Sequence, residues 1–310
     1  MAIYYFTHES PGAPSGPTYA GAGTMITLLD FCLVTGMGWT KEFSGTNTAT
    51  YRAPTGNRMY LGIDDSRTDG VIRVRGFETA TAAGVAASSG SNPFPNDAQA
   101  SGGLYVLRAS NASNPVTEWT FVSDGKIFYL NTTTYNSSSS RNEAPYLVFG
   151  DFTAYSASDN TYNTCIIADT TASGSQGMTL YRTGATATGN TSAVFYPRSY
   201  TNLGLSTIGA ALGDPYRAGT TSTFKAGGAG GSFPNLVSGT LDLSYIELGQ
   251  AEGARGRLPG IWYPLHVRPL SRNTVYQGQG AAAGRTFVVR NNSNENSGQV
   301  FYEISDTWGT

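Results

Sequence analysis

The chain is poor in charge, in histidine and in cysteine, and each shortage removes a class of function. Charged side chains make up 13% of its 310 residues, about half the usual share. The three lysines (Lys41, Lys126, Lys225) stand apart among sixteen arginines, and the net charge is −2. A protein that tracks a phosphate backbone needs a basic stripe, so no nucleic-acid partner is expected. The two histidines, His8 and His266, lie in proline-rich surroundings with no nucleophile motif beside them, which argues against histidine-based acid–base or triad catalysis. Cys32 and Cys165 sit in the apolar runs LLDFCLV and YNTCIIAD. They lack metal-ligand spacing and read as core thiols of a protein made in a reducing cytoplasm. No window approaches the ~20 apolar residues of a membrane span, and MAIYYFTHESPG lacks the basic and apolar regions of a signal peptide. Neither membrane insertion nor export by signal peptide is expected.

What fills the space is glycine, serine, threonine and asparagine, together with 12% aromatics. Disordered chains lack such aromatics, so the composition points to ordered β-structure. One helix is expected, residues 24–36, with Thr24 as its cap and Gly36 as its stop, packing as a scaffold on a sheet. Strand-like runs bounded by turn residues follow at 48–53, 58–64, 71–78, 104–109, 146–155, 164–170, 178–183, 192–198, 239–250, 285–291 and 299–308, with a hairpin about Asp124-Gly125. This spacing predicts a mainly β fold of antiparallel sandwich or barrel modules with one N-terminal helix and long loops. The divisions read from composition are 1–145, a β module with the helix; 146–238, a middle module or insertion; and 239–310, C-terminal strands with a proline-rich arm. Long loops at 82–103, 131–145 and 218–235 are poor in charge, which favours their lying against neighbouring protein.

Candidates for chemistry are thin. The acidic turn Asp64 to Gly70 misses the spacing of an EF-hand and reads as a hairpin turn rather than a calcium loop. Glu118 beside Trp119, Asp151 beside Phe152, and Glu303 with Asp306 are candidates, but a glycosidase needs two carboxylates facing across a groove, and structural roles are favoured. The glycines at 278, 280 and 284 lack the strand–turn–helix setting of a dinucleotide loop. No catalytic residue, cofactor or metal site is expected.

The densest segment is GRLPGIWYPLHVRPL, residues 256–270. Pro259, Pro264 and Pro269 each fix φ and remove a donor, which predicts an extended arm or an edge rather than a central strand. Arg257, Ile261, Trp262, Tyr263, His266 and Arg268 are the side chains such an arm would use as anchors, since Trp, Tyr and Arg dominate interface hot spots. The equal alternative is that the segment seals the core of its own domain. The leader Tyr4 to Tyr19, with Tyr4 and Tyr5 as its contacts, is a second candidate arm.

RGRLPGIWYPLHVRPL, the later GRTFVV and the terminal FYEISDTW, together with APSGPTYAGAGTMITLLDFCLVTGMGWTKEFSGTNTATYRAPTGNRMYLGIDD, VIRVRGFETAT and SGGLYVLRAS, resemble a family of tailed-bacteriophage virion structural proteins. The resemblance spans most of the chain and is weakest over 131–235. It implies a non-enzymatic structural component of the particle, in the neck, tail or baseplate rather than as capsid decoration. Its partners would be other virion proteins and copies of itself. The alternatives are a receptor- or glycan-binding tail module, with or without hydrolase activity, and a cellular adhesin.

Overall fold

The computed structural model describes residues 2–109, 112–113, 116–136, 141–143, 146–169, 193–198, 210–212, 239–250, 253–264, 270–291, 299–305 and 308. It is mainly β, with antiparallel sheets in a sandwich-like arrangement. The N-terminal strands are β1 (Tyr4–Thr7), β2 (Thr40–Gly45), β3 (Thr48–Arg52), β4 (Tyr60–Asp64) and β5 (Val71–Phe77), with helix α1 (Thr24–Leu29) between β1 and β2. A two-stranded ribbon, β6 (Thr79–Ala80) with β7 (Gly90–Ser91), precedes β8 (Leu104–Leu107), β9 (Val116–Ser123), β10 (Ile127–Asn136), β11 (Arg141–Glu143) and β12 (Tyr146–Asp151). Then come β13 (Thr153–Ala154), β14 (Thr164–Asp169), β15 (Ala193–Pro197) and β16 (Ala210–Leu212). The C-terminal strands are β17 (Leu243–Gln250), β18 (Gly253–Pro264), β19 (Val275–Gln277), β20 (Thr286–Asn291) and β21 (Gln299–Glu303).

The larger sheet runs β1-β9-β10-β12-β14-β8-β5-β4-β3-β2, with β11 on β10 and β15 on β14. It therefore continues across residue 145, since β12 pairs with β10. Side chains alternate between its faces. One row, Ala49, Ile63, Val74 and Leu104, is paired strand to strand and buried. Another, Phe128, Phe149 and Ile166, lies in the distant half of the same sheet. The helix lies between the two halves. Tyr51 donates from its hydroxyl to Asp30 at 2.8 Å, while Trp39, just beyond the helix, meets Phe128 and Phe149 edge-on. Thus one curled sheet wraps a helix that is buried on most sides.

The helix departs from expectation at both ends. Thr24 is not the cap: its hydroxyl donates to Gly21 O, and the first turn is capped by the carboxylate of Asp65, which accepts from Met25 N at 2.8 Å and Ile26 N at 3.3 Å. Asp65 is itself fully buried against Arg108, whose guanidinium also donates to Gly21 O, Tyr19 O and Arg67 O. At the other end the helix continues as π-helical turns over Asp30–Thr35. Gly36 keeps helical backbone, and the left-handed residue that ends the element is Gly38, at φ 70°.

The second sheet runs β16-β17-β18-β21-β20-β19, with β13 on β18. It covers the face of β9, β10 and β12 opposite the helix. Tyr129 packs on Tyr302 and Trp308 and donates to Pro259 O at 2.6 Å. Residues 127–133 of β10 are consequently buried on both faces, which explains their nearly unbroken apolar start. The run 146–155, expected as one strand, divides: β12 belongs to the first sheet and β13 crosses to the second.

Residues 256–264 of the proline-rich segment lie in a central strand, not an arm. Strand β18 pairs with β17 and β21. Pro259 fits because Glu247 faces Arg257 and Tyr245 faces Trp262, so Leu258 to Ile261 bulge opposite Ile246 alone. The bulge also needs Gly260, at φ 68°, where a Cβ would fall 2.0 Å from the indole of Trp308. The strand ends at Pro264, and Pro269 lies outside the described residues.

The remaining expectations divide in the same way. The Asp124-Gly125 hairpin, the Asp64 to Gly70 turn between β4 and β5, and two free buried cysteines are all present. The loop 82–103 lies against its own core, with Val85 and Phe94 buried and Phe94 stacked on Phe149. The run 178–183 and the loop 218–235 lie outside the described residues. No helix among the described residues is long and apolar enough to cross a membrane.

Candidate functional site

Three of the six anchors expected in the proline-rich segment belong to the chain's own interior. Ile261, Trp262 and Tyr263 are buried. Trp262 lies against Tyr245 and Phe287, and its indole N–H donates to Glu303 at 3.1 Å. Arg257 remains half-buried at the surface, its guanidinium stacked 4.1 Å from the centre of the Tyr245 ring. His266 and Arg268 lie outside the described residues. Buried side chains cannot anchor a neighbour, so the core-sealing alternative describes residues 261–263.

Tyr4 and Tyr5 lie on β1, which among the described residues pairs only with β9 and ends the larger sheet. Phe6 points inward onto Phe31 and Phe121, whereas Tyr5 is 37% exposed. The start of the leader, Tyr4–Thr7, is therefore an edge strand rather than part of a detached arm. At the far side of the second sheet, β19 is also an edge, and its Val275 is 59% exposed. Neither strand carries a charge. Edge strands are usually shielded by charge, proline or a bulge, because their free N–H and C=O groups recruit other chains. The opposite edge, β2, has that shielding: it carries Lys41 and Glu42, paired with Asp30 and Arg52, and a register shift. Sequence reading missed β19 because VYQ is too short to show alternation.

The carboxylates considered for hydrolysis are engaged elsewhere. Glu118 accepts from Arg272 at 2.5 Å and from Arg290 at 3.4 Å, joining the two sheets. Glu303 is fully buried and held by Arg285 and Trp262. Asp151 accepts from Asn57 N at 2.6 Å and Thr164 Oγ1 at 2.5 Å, closing one end of the sandwich. Burial raises the carboxyls of Asp151 and of nearby Asp124 above the usual range. Asp306 lies outside the described residues. In the acidic turn, Asp65 binds Arg108 and Asp69 binds Arg67. No group of three or more metal-ligating side chains occurs among the described residues.

A small polar and aromatic cluster occupies the surface where β13 meets β17 and β18. Tyr155 is 53% exposed and donates its hydroxyl to Glu247 at 2.9 Å. Partial burial and that bond push its phenol up to about 12. Arg257 and Tyr245 complete the group. Comparison with known protein families finds no matching family model, and the search of curated proteins finds no match.

Proposed function

We propose that this chain is a non-enzymatic structural subunit that assembles through the free edges of its two sheets, as a component of a tailed-phage particle. The observation that carries the reading is the pair of uncharged, exposed edge strands, β1 with Tyr5 and β19 with Val275. Each offers backbone donors and acceptors to a further strand. Engagement of Glu118, Asp151 and Glu303 in internal ties supports the non-enzymatic part. The particle itself comes from the sequence resemblance alone. Neck, tail or baseplate is the proposed place, with copies of the chain and other virion proteins as partners.

The test is sedimentation velocity on the purified protein and on Tyr5→Lys and Val275→Lys, alone and together. The expected result is concentration-dependent self-association, or binding to purified particle components, that the lysines reduce while unfolding midpoints stay unchanged. If association persists in the double variant, or if neither the chain nor any particle component binds it, the reading fails.

A further inference from the structure

Arginines in this protein follow a pattern. Seven lie over aromatic rings: Arg52, Arg67, Arg73, Arg198, Arg255, Arg257 and Arg285. Five of these also hold a carboxylate: Glu42, Asp69, Glu78, Asp159 and Glu303 respectively for Arg52, Arg67, Arg198, Arg255 and Arg285. Arg73 bonds instead to the Tyr105 hydroxyl at 3.4 Å. Arg257 alone among these seven stacks on its ring, Tyr245, without a hydrogen bond or ion pair to any described residue. Glu247 is its direct cross-strand neighbour, yet the two form no ion pair; among the described residues the Glu247 carboxylate receives only the Tyr155 hydroxyl, through Oε1.

A planar donor fork and a carboxylate oxygen are thus both left open beside the most exposed aromatic ring among the described residues. We propose that Tyr155, Glu247, Arg257 and Tyr245 form a binding site for a neutral saccharide. The Tyr155 ring supplies an apolar face for the C–H surface of a pyranose, with its hydroxyl fixed by Glu247. Vicinal hydroxyls are both donors and acceptors, so one sugar edge can donate to Glu247 Oε2 and accept from the Arg257 guanidinium. A simple anion would satisfy Arg257 but meet the charge of Glu247, which is why a neutral ring is favoured. Stacking of Arg257 on Tyr245 pre-orients the fork and lowers the ordering cost of binding. An open surface of this size suits weak affinity, on the order of 1 mM per site, which repeated copies in an assembly would raise by avidity. The site is separate from both edge strands and does not depend on the assembly reading.

The experiment is saturation-transfer-difference NMR on the full chain with four probes: maltohexaose, cellohexaose, chitohexaose and a hyaluronan hexasaccharide. At least one neutral probe is expected to show transfer. Tyr155→Ala should weaken it about tenfold, the loss of one stacked ring, and Arg257→Lys and Glu247→Gln should each weaken it. Tyr155→Phe, which keeps the ring, should retain most of the signal. Unfolding midpoints of the variants check that each is folded, and Tyr5→Lys with Val275→Lys should leave the signal unchanged. Absence of transfer from every neutral probe overturns the proposal, as does transfer that survives Tyr155→Ala. Preference for hyaluronan that strengthens in Glu247→Gln would mean an anion site instead. Loss of self-association in Arg257→Ala, with no saccharide bound, would mean a contact between copies.

Discussion

Replacing Trp262 by alanine separates a core residue from an interface anchor. The side chain is 2% exposed in the isolated chain, lies 3.8 Å centroid to centroid from Tyr245, meets Phe287 edge-on and is covered by Arg285. A buried indole removes roughly 200 Å² from water, an upper bound of about 5 kcal/mol. Its N–H bond to Glu303 adds about 1 kcal/mol net, but Arg285 still holds that carboxylate after the substitution. Partial collapse of the site brings the expected loss to about 4 kcal/mol, within the range for Trp→Ala in cores. With a urea slope of about 3 kcal/mol per M for a chain of this size, the midpoint should fall by about 1 M. Urea titration followed by far-ultraviolet circular dichroism on dilute protein measures it. An unchanged midpoint accompanied by lost self-association would place Trp262 between chains and refute the argument.

Four further substitutions and a labelling experiment probe different links. Asp65→Ala leaves the fully buried Arg108 charge without its carboxylate and uncaps the helix, so equilibrium unfolding should show a loss of about 3–5 kcal/mol. Arg108→Ala should add little to it in the double variant, because the two act as one unit. Burial raises the folded-state pKa of Asp124 and Asp151 above the unfolded 3.8. The native state therefore takes up these protons first as pH falls. Each contributes stability that is fully present below the unfolded pKa and lost as pH rises through the folded one. Asp124→Asn and Asp151→Asn should lose that component of the pH dependence, visible as altered urea midpoints as pH rises above the unfolded carboxylate pKa; unchanged profiles would contradict the shifts. Burial raises the thiols of Cys32 and Cys165 well above their usual range. A thiol-specific disulfide reagent should label neither until the protein unfolds, and rapid labelling at neutral pH would show that a core thiol is accessible.

Much of the fold was legible because alternation is local. Runs such as TATYRA, RMYLGID and VIRVRGFE become β3, β4 and β5 within two residues of the expected bounds. What escaped was decided by residues distant in sequence. Thr24 is a reasonable cap by type, but the helix is capped by Asp65, forty residues on. The rule against proline in a central strand holds residue by residue, and β18 obeys it through a bulge opposite Ile246 and a glycine that admits Trp308. The same folding moved Trp262 from surface anchor to core. Arg257 and Glu247 were beyond reading as a pair because their separate unmet bonding capacity exists only once β17 and β18 align. Tyr5 and Val275 are legible as an uncharged tyrosine pair and an uncharged VYQ, but only sheet order reveals them as edges.

The proposed assembly through sheet edges in a tailed-phage particle is tested most directly by electron cryo-microscopy of the intact purified particle. The account predicts a fixed ring or lattice of copies in the neck, tail or baseplate, with a neighbouring strand hydrogen-bonded to Tyr4–Thr7 or Val275–Gln277 and with Trp262 still inside its own subunit. A chain at a free tip with both edges open to solvent, or one absent from the particle, would contradict it.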